Sequence, residues 1–306
     1  MRFPDFILIG AAKSGTTALF YYLSQHPEVF ACPVREPNFF ALQDTPAEEL
    51  PALFSGPGDR ETVGRNSVTD LQAYHALFKG AQPGQVVGEV SPLYLYHPDA
   101  ASNIARQVPQ AKLIVVLRNP VARAHASFLH LRRDGREPCT HFGEGLLLEK
   151  ERRTAGWEHL WHYEAMGRYA AQVERYLALF PRTQLLFLLY DDFVADAPSV
   201  LARCFSFLDV DAAFEPDLSR KPNRSGIPRV KPLQQFLSGT SALKKVLVRY
   251  LPAQTRGRLV SGVQRLNLAR PALEKRIANK LQAAYKEDIE QLQDLIDRDL
   301  SAWLTD

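Results

Sequence analysis

Cysteine is scarce in this sequence of 306 residues, with Cys32, Cys139 and Cys204 the only three. They are widely spaced, form no CxxC pair and have no histidines at ligand spacing. That excludes a disulfide framework or a zinc-finger-like site and points to a reducing compartment. No stretch approaches the roughly 20 consecutive apolar residues of a membrane-spanning helix. The apolar run near the N-terminus, with one arginine before it, is too short for a secretory signal, so a soluble, cytoplasmic protein is expected. An excess of one charge is missing too, since the net charge of +3 by itself demands no polyanionic partner. No low-complexity segment interrupts the chain, and 46% hydrophobic residues over this length suffice for a large core.

Strand-like and helix-like segments alternate instead. Strands are predicted at Phe6 to Ile9, Val86 to Val90, Lys112 to Leu117 and Gln184 to Leu189, the last two continuous enough to be buried on both faces. Helices are predicted at Thr17 to Gln25, stopped near Pro27, and from an Asp99 cap to about Val108. Others are expected from Val121 to about Arg133 and from Pro198 to Leu208. Tyr163 to Phe180 carries the stripe Tyr169, Val173, Tyr176, Leu177 and Phe180, and a last packing helix spans about Leu273 to Leu295. This succession predicts an α/β fold with a central, largely parallel sheet flanked by helices. It is taken as one domain over 1–306, with a basic helical part from about 232 to 306 packed on the core. Ligands of such sheets sit beyond the carboxyl ends of the strands, so the loops after Ile9, Val90 and Leu117 are expected to share one cleft.

The first of these loops is Gly10-Ala11-Ala12-Lys13-Ser14-Gly15-Thr16-Thr17, between the first strand and the first helix. Gly10 and Gly15 permit backbone angles and close approaches that let consecutive N–H groups turn inward around an anion. The helix start adds donors and the positive end of its dipole. Lys13 adds a full charge, and Ser14, Thr16 and Thr17 add hydroxyls. The nucleotide-triphosphate loop GxxxxGK[ST] places its lysine directly after the second glycine. Here Thr16 holds that position and Lys13 precedes Gly15 by two residues, so the loop suits a phosphate but breaks the ATPase pattern. A plain glycine turn joining strand to helix is the alternative on this segment alone.

The segment GAAKSGTT after a short apolar strand resembles the 5′-phosphosulfate loop of sulfotransferases that use 3′-phosphoadenosine 5′-phosphosulfate. That resemblance implies the P-loop-like sulfotransferase fold, with Ala12, Lys13, Ser14, Gly15, Thr16 and Thr17 around the phosphosulfate. The run Leu117-Arg118-Asn119-Pro120 is similar to the family's second anion site, in which an arginine and a serine eight residues later hold the 3′-phosphate. Arg118 matches. Eight residues on stands Ala126, and Ser127 is one place later, so either Ser127 reaches round by a small helix shift or the hydroxyl contact is absent. Arg35-Glu36-Pro37-Asn38-Phe39-Phe40 resembles the segment in which a glutamate before two aromatics takes the acceptor's proton, which assigns Glu36 as base and Arg35 as its neighbour. Gly88-Glu89-Val90-Ser91-Pro92 resembles the family's GExSP, with Glu89 a second candidate base or a partner for Lys13 and Ser91 a pocket residue. The basic loop Arg220 to Arg229 is similar to the one closing over adenine and 3′-phosphate, implying roles for Arg224, Ser225, Gly226 and Arg229.

The resemblance thus implies a sulfotransferase of the carbohydrate or bacterial type, an EC 2.8.2 transferase. It would move a sulfuryl group to a hydroxyl or amine of a glycan, lipid or small molecule and leave adenosine 3′,5′-bisphosphate. Lys13 and Glu36 carry the chemistry in this assignment. No metal is expected, because no Asp, Glu or His cluster shows ligand spacing. His97, His125, His130, His159 and His162 are further possible bases, and His162 is singled out within Trp157 to Tyr163 as part of an acceptor wall. From Leu218 to Pro271 there are twelve Lys or Arg and no Asp or Glu, which suits a solvated basic face or peripheral membrane contact, while nucleic acid is not the expected partner. The rivals are a P-loop small-molecule kinase and a basic membrane- or nucleic-acid-binding protein. Calorimetry separates the enzymes: adenosine 3′,5′-bisphosphate is expected to bind more tightly than ATP with Mg²⁺, and the reverse order would favour the kinase.

Overall fold

The computed structural model describes residues 2–46, 48–54, 56–57, 64, 66–219, 227–228, 268–269 and 271–305. Five strands form one sheet: β1 (Phe6–Gly10), β2 (Val29–Ala31), β3 (Val86–Val90), β4 (Lys112–Leu117) and β5 (Leu185–Leu189). Their order is β2-β3-β1-β4-β5, and every neighbouring pair is parallel. All four sequence-predicted strands are present. The unforeseen one, β2, is a three-residue edge strand with little apolar run to betray it.

β1 lies at the centre, paired with β3 on one side and β4 on the other, and all five of its residues are buried. The two-residue side-chain period of a strand then sorts them between faces. Ile7 and Ile9 enter a core with Leu113, Val115 and Leu117, whereas Phe6 and Leu8 enter one with Ile114, Val116 and Leu188. Helices Thr16–Leu23 and Ala197–Phe207 cover the second face through Leu19, Leu23, Leu201 and Phe205. The other face carries helices Ala100–Gln107, Pro120–Arg133, Ala170–Leu177 and Lys275–Ile296.

Local chemistry explains two of these helix starts. Asn119 Oδ1 accepts from the N–H groups of Val121 and Ala122 at 3.0 and 3.1 Å, and Pro120 begins the helix where no N–H is needed. Asp196 Oδ1 does the same for Ser199 at 3.1 Å. Asp99 does not: its side chain makes no cap, although the helix starts directly after it. The expected helix Tyr163 to Phe180 is shorter, a 3₁₀ turn at Ala165–Gly167 followed by Ala170–Leu177. A distant residue sets this start, because Asp288 of the last helix accepts from the N–H groups of Tyr169 and Ala170 at 2.8 and 3.2 Å. That last helix buries Leu281, Tyr285, Ile289, Leu292 and Ile296, so it packs as expected, with Tyr285 inward in place of Ala284.

Gly88 allows β3 to sit beside β1 with the Phe6 ring lying over it. A Cβ there would come 2.0 Å from Phe6 Cζ, inside a fully buried core. Gly88→Ala is therefore expected to cost about 1–3 kcal/mol through overpacking. In a thermal melt this reads as a fall of roughly 3–10 °C, and an unchanged melt would contradict the packing described.

Candidate functional site

The loops after β1, β3 and β4 meet, as expected, in one cleft at the carboxyl edge of the sheet. Its volume is about 350 Å³, and Lys13, Glu36, Leu93 and Arg118 all line it. The topology accounts for the meeting. From β1 the chain turns first to β2 and β3 on one side and later to β4 on the other, which leaves a crevice above the central strand.

The loop Ala11–Gly15 is tied to its neighbours: Ala11 N–H donates to Val116 O at 2.8 Å, and Arg118 Nη1 donates to Lys13 O at 3.0 Å. Gly15 is the N-cap of the helix Thr16–Leu23, with φ 89°, where a glycine is favoured. A Cβ on it would also lie 3.0 Å from the Tyr190 ring, and the Arg118 guanidinium stacks on that ring 4.6 Å from its centroid. The N–H groups of Thr16 and Thr17 open a helix and so have no intrahelical acceptor. Ser14 is fully buried and its Oγ has no hydrogen-bond partner; the Tyr169 hydroxyl lies near enough to influence it, yet the two make no well-formed bond. Donors and positive charge thus converge where an anion would be held.

Lys13 itself is strained and desolvated. Its φ is 69°, left-handed for a non-glycine, which costs on the order of 1–2 kcal/mol. Its pKa is pushed down to about 8, first by burial and then by Arg133, with Arg118 adding to it, while Asp134 and Glu36 oppose the shift. His130 lines the same wall and stays neutral, its pKa driven down to about 3 mainly by burial. Arg133 Nη2 donates to its Nδ1 at 2.7 Å, which puts the ring proton on Nε2, so the 3.5 Å approach to Asp134 is not an ion pair.

Glu36 stands opposite, also left-handed with φ 58°. Its side chain is open to the cleft, yet protein surrounds the cleft closely enough that removal from bulk water raises its pKa, against the opposing charges of Arg35 and Lys13. Arg35 lines the cleft as well, and Asn66 Nδ2 donates to its carbonyl at 3.2 Å.

Ser14 is not among the residues lining this cleft, and Glu89, Ser91, Ser127 and His162 are not brought to it either. Glu89 and Ser91 are fully buried beneath it: Ser91 Oγ donates to Glu89 Oε2 at 2.8 Å, and Tyr74 and Tyr94 hydroxyls both donate to Oε1 at 2.8 Å. Glu89 is therefore neither a partner of Lys13 nor placed to take a proton from a molecule in the cleft. Ser127 is fully buried too, and its hydroxyl donates to Leu160 O at 2.8 Å, facing the core. His162 uses both ring nitrogens on Tyr96 Oη and Trp157 O, each at 3.0 Å, behind the wall it was expected to form. The same segment does line the cleft, through Glu158, His159 and Leu160. Glu158 pairs with Arg136, whose guanidinium stacks on Trp161 at 4.5 Å, and burial drives the His159 pKa down to about 3. The cluster of aromatic and imidazole groups in the sequence marked the segment, but which residue faces inward depends on the 3₁₀ turn His159–Trp161. Arg224, Ser225, Gly226 and Arg229 lie outside the described residues, as does most of 218–271. Among the described residues no three His, Cys, Asp or Glu side chains gather as a metal site, and no helix is long and apolar enough to cross a membrane.

Comparison with known proteins gives this arrangement a context. Human heparan sulfate glucosamine 3-O-sulfotransferase 3B1 is 30% identical over 208 residues, covering 68% of this chain and 46% of that protein. The bifunctional heparan sulfate N-deacetylase/N-sulfotransferase 1 of Caenorhabditis elegans is 26% identical over 226 residues, covering 72% of this chain and 24% of that one. The chain thus spans less than half the length of these curated relatives. A crystal structure of a sulfotransferase from Alicyclobacillus acidocaldarius superposes over the full length of both chains with a TM-score of 0.78 at 34% identity. Residues 4–216, which contain all five strands and every described cleft residue, match the sequence pattern of the Sulfotransferase family, and the chain belongs to that family.

Proposed function

We propose that this protein transfers a sulfuryl group from 3′-phosphoadenosine 5′-phosphosulfate to a hydroxyl or amine of a glycan or other small acceptor. The observation that carries this reading is the convergence of Lys13, Arg118 and Glu36 on one cleft of about 350 Å³ above the central strand. When bound, that donor supplies the sulfuryl group and departs as adenosine 3′,5′-bisphosphate. The residues present suit it: a desolvated lysine crowded by two arginines and the open N–H groups of a helix start both favour an anion. Lys13, Thr16 and Thr17 would hold the 5′ end, and Arg118 the 3′-phosphate.

Glu36 takes the proton from the acceptor as the new bond to sulfur forms. Its raised pKa makes it a stronger base than an ordinary surface carboxylate. Lys13 stays protonated at pH 7 and stabilises the charge that grows on the departing phosphate oxygen. Its lowered pKa also brings its acidity closer to what that oxygen needs. The relatives named for heparan sulfate favour a glycan acceptor, and the polar wall of Glu158, His159 and Asn66 agrees with one. We read the chain as one domain, and its three free cysteines agree with a reducing, cytoplasmic setting.

A screen of heparan oligosaccharides, lipids and small hydroxyl compounds with ³⁵S-labelled donor tests the activity. Glu36→Gln is expected to lower turnover by about 10²–10⁴-fold while nucleotide binding persists. Near-normal turnover would remove Glu36 from its role.

Lys13 gives a pH test that needs no acceptor. It is protonated below about pH 8 and neutral above, so affinity for adenosine 3′,5′-bisphosphate is expected to fall as pH rises through 8. The limiting slope is about tenfold per pH unit. In Lys13→Arg the affinity should stay level from pH 7 to 10, and an identical slope in both proteins would assign the titration elsewhere.

A further inference from the structure

The Glu36 segment has an unusual backbone. Glu36 and Asn38 both have left-handed φ angles, 58° and 51°, on either side of Pro37. Side chains larger than glycine do not settle there unless their surroundings hold them. Three N–H groups show what holds them. Glu36 N–H donates to Val90 O at 2.9 Å, Asn38 N–H to Ser91 Oγ at 3.1 Å and Phe40 N–H to Tyr94 Oη at 3.3 Å. The last two acceptors are hydroxyls, and each in turn donates to Glu89, Ser91 to Oε2 and Tyr94 to Oε1, both at 2.8 Å. Tyr74 completes the set with its own 2.8 Å bond to the same Oε1 that Tyr94 uses.

A hydroxyl that donates to a carboxylate has its lone pairs turned toward the N–H groups it accepts from. Glu89 therefore orients both hydroxyls so that they receive the backbone of residues 38 and 40. An amide in its place would keep one acceptor oxygen and put an NH₂ group where the other stood, facing a hydroxyl that itself needs to donate. Resting on the reading of Glu36 as base, we propose that Glu89 is a positioning residue that fixes Glu36 in the cleft through Ser91, Tyr94 and the left-handed turn at 36–38.

Burial of an ionisable group with no cation among its hydrogen-bond partners speaks for a role beyond packing. Glu89 is fully buried and its three partners are all hydroxyls. The groups facing it are Tyr74, Tyr94 and the Cys32 thiol, none of them cationic. Burial holds its carboxyl at about 7, above the ordinary 4.5, even though the three hydroxyls favour the charged form. A glutamate raised in this way makes the fold more stable when protonated, and that advantage is lost as pH rises from 4.5 to 7. Ionised Glu89 is thus tolerated at a cost to stability, and the oriented hydroxyls are what the charge secures.

The test uses the full chain with three single substitutions, Glu89→Gln, Ser91→Ala and Tyr94→Phe. Amide exchange followed by NMR on ¹⁵N-labelled protein reads the strap without any acceptor. At least one of the Asn38 and Phe40 N–H groups is expected to exchange about tenfold faster in Glu89→Gln, Asn38 N–H likewise in Ser91→Ala and Phe40 N–H in Tyr94→Phe. Turnover on whichever acceptor the labelled-donor screen yields should fall about 10- to 100-fold in kcat, as expected of a displaced catalytic group. Affinity for adenosine 3′,5′-bisphosphate should stay within about twofold, because the phosphate loop is not part of the strap. A merely structural Glu89 would instead lower bisphosphate affinity and melting temperature together and leave kcat per folded molecule unchanged. Unchanged exchange at Asn38 and Phe40, or normal kcat in Glu89→Gln while Glu36→Gln is inactive, overturns the proposal. Normal turnover in Glu36→Gln overturns the base assignment instead, and the exchange data would still report whether Glu89 holds the turn.

Discussion

The pairing of β1 with β3 on one side and β4 on the other is the constraint on which the rest of this site depends. Phe6 stands opposite Gly88 and Lys112 in the two parallel ladders, so the three strands present their carboxyl ends at the same edge of the sheet, β3 stopping opposite Leu8 and β4 running on past Gly10. The phosphate loop leaves β1 there, the Glu36 segment is hung from the end of β3 through Val90 O and Ser91 Oγ, and Arg118 leaves β4 to grip Lys13 O. Each catalytic candidate thus belongs to a different stretch of chain, and backbone hydrogen bonds near a buried sheet set their mutual positions.

Electrostatics then acts on groups already placed. The cleft removes Lys13 and Glu36 from bulk water together, and desolvation moves their pKa values toward each other, the lysine down to about 8 and the glutamate up. Each charge partly restores the other. A proton taken at one side of the transferring group and positive charge supplied at the other is what group transfer between two oxygens requires. Neutral His130 and His159 line the same space without adding to its charge.

The geometry is held at a cost to stability. Lys13, Glu36 and Asn38 occupy left-handed backbone, and Glu89 is a carboxylate in the core. Such departures concentrate at functional sites because a packed surrounding can enforce them there. The burial of β1, β4 and the helices around them supplies that surrounding.

The fold class, the central strands and the phosphate loop are all legible in the chain before any contact is known. Continuous apolar runs, two glycines around Lys13 and the Asn119-Pro120 helix start are local signals whose meaning does not depend on distant residues. The sequence also marks the strand ends carrying Glu89 and Arg118, and the meeting of their loops with the phosphate loop follows from parallel topology, whereas Glu36, past the unforeseen β2, is picked out only by the family resemblance. Tertiary structure decided which side chains face the cleft. Glu36 does and Glu89 does not, because β3 delivers Glu89 into the core while the left-handed turn swings Glu36 outward. Ser127 differs from Ala126 by one helical position, about 100° of rotation, and that directs its hydroxyl to Leu160 O. His159 rather than His162 reaches the cleft for a similar reason, the phase of a three-residue 3₁₀ turn. Orientation of this kind is fixed by packing against residues 30 to 120 positions away, as with Asp288 capping Tyr169, and no local pattern encodes it.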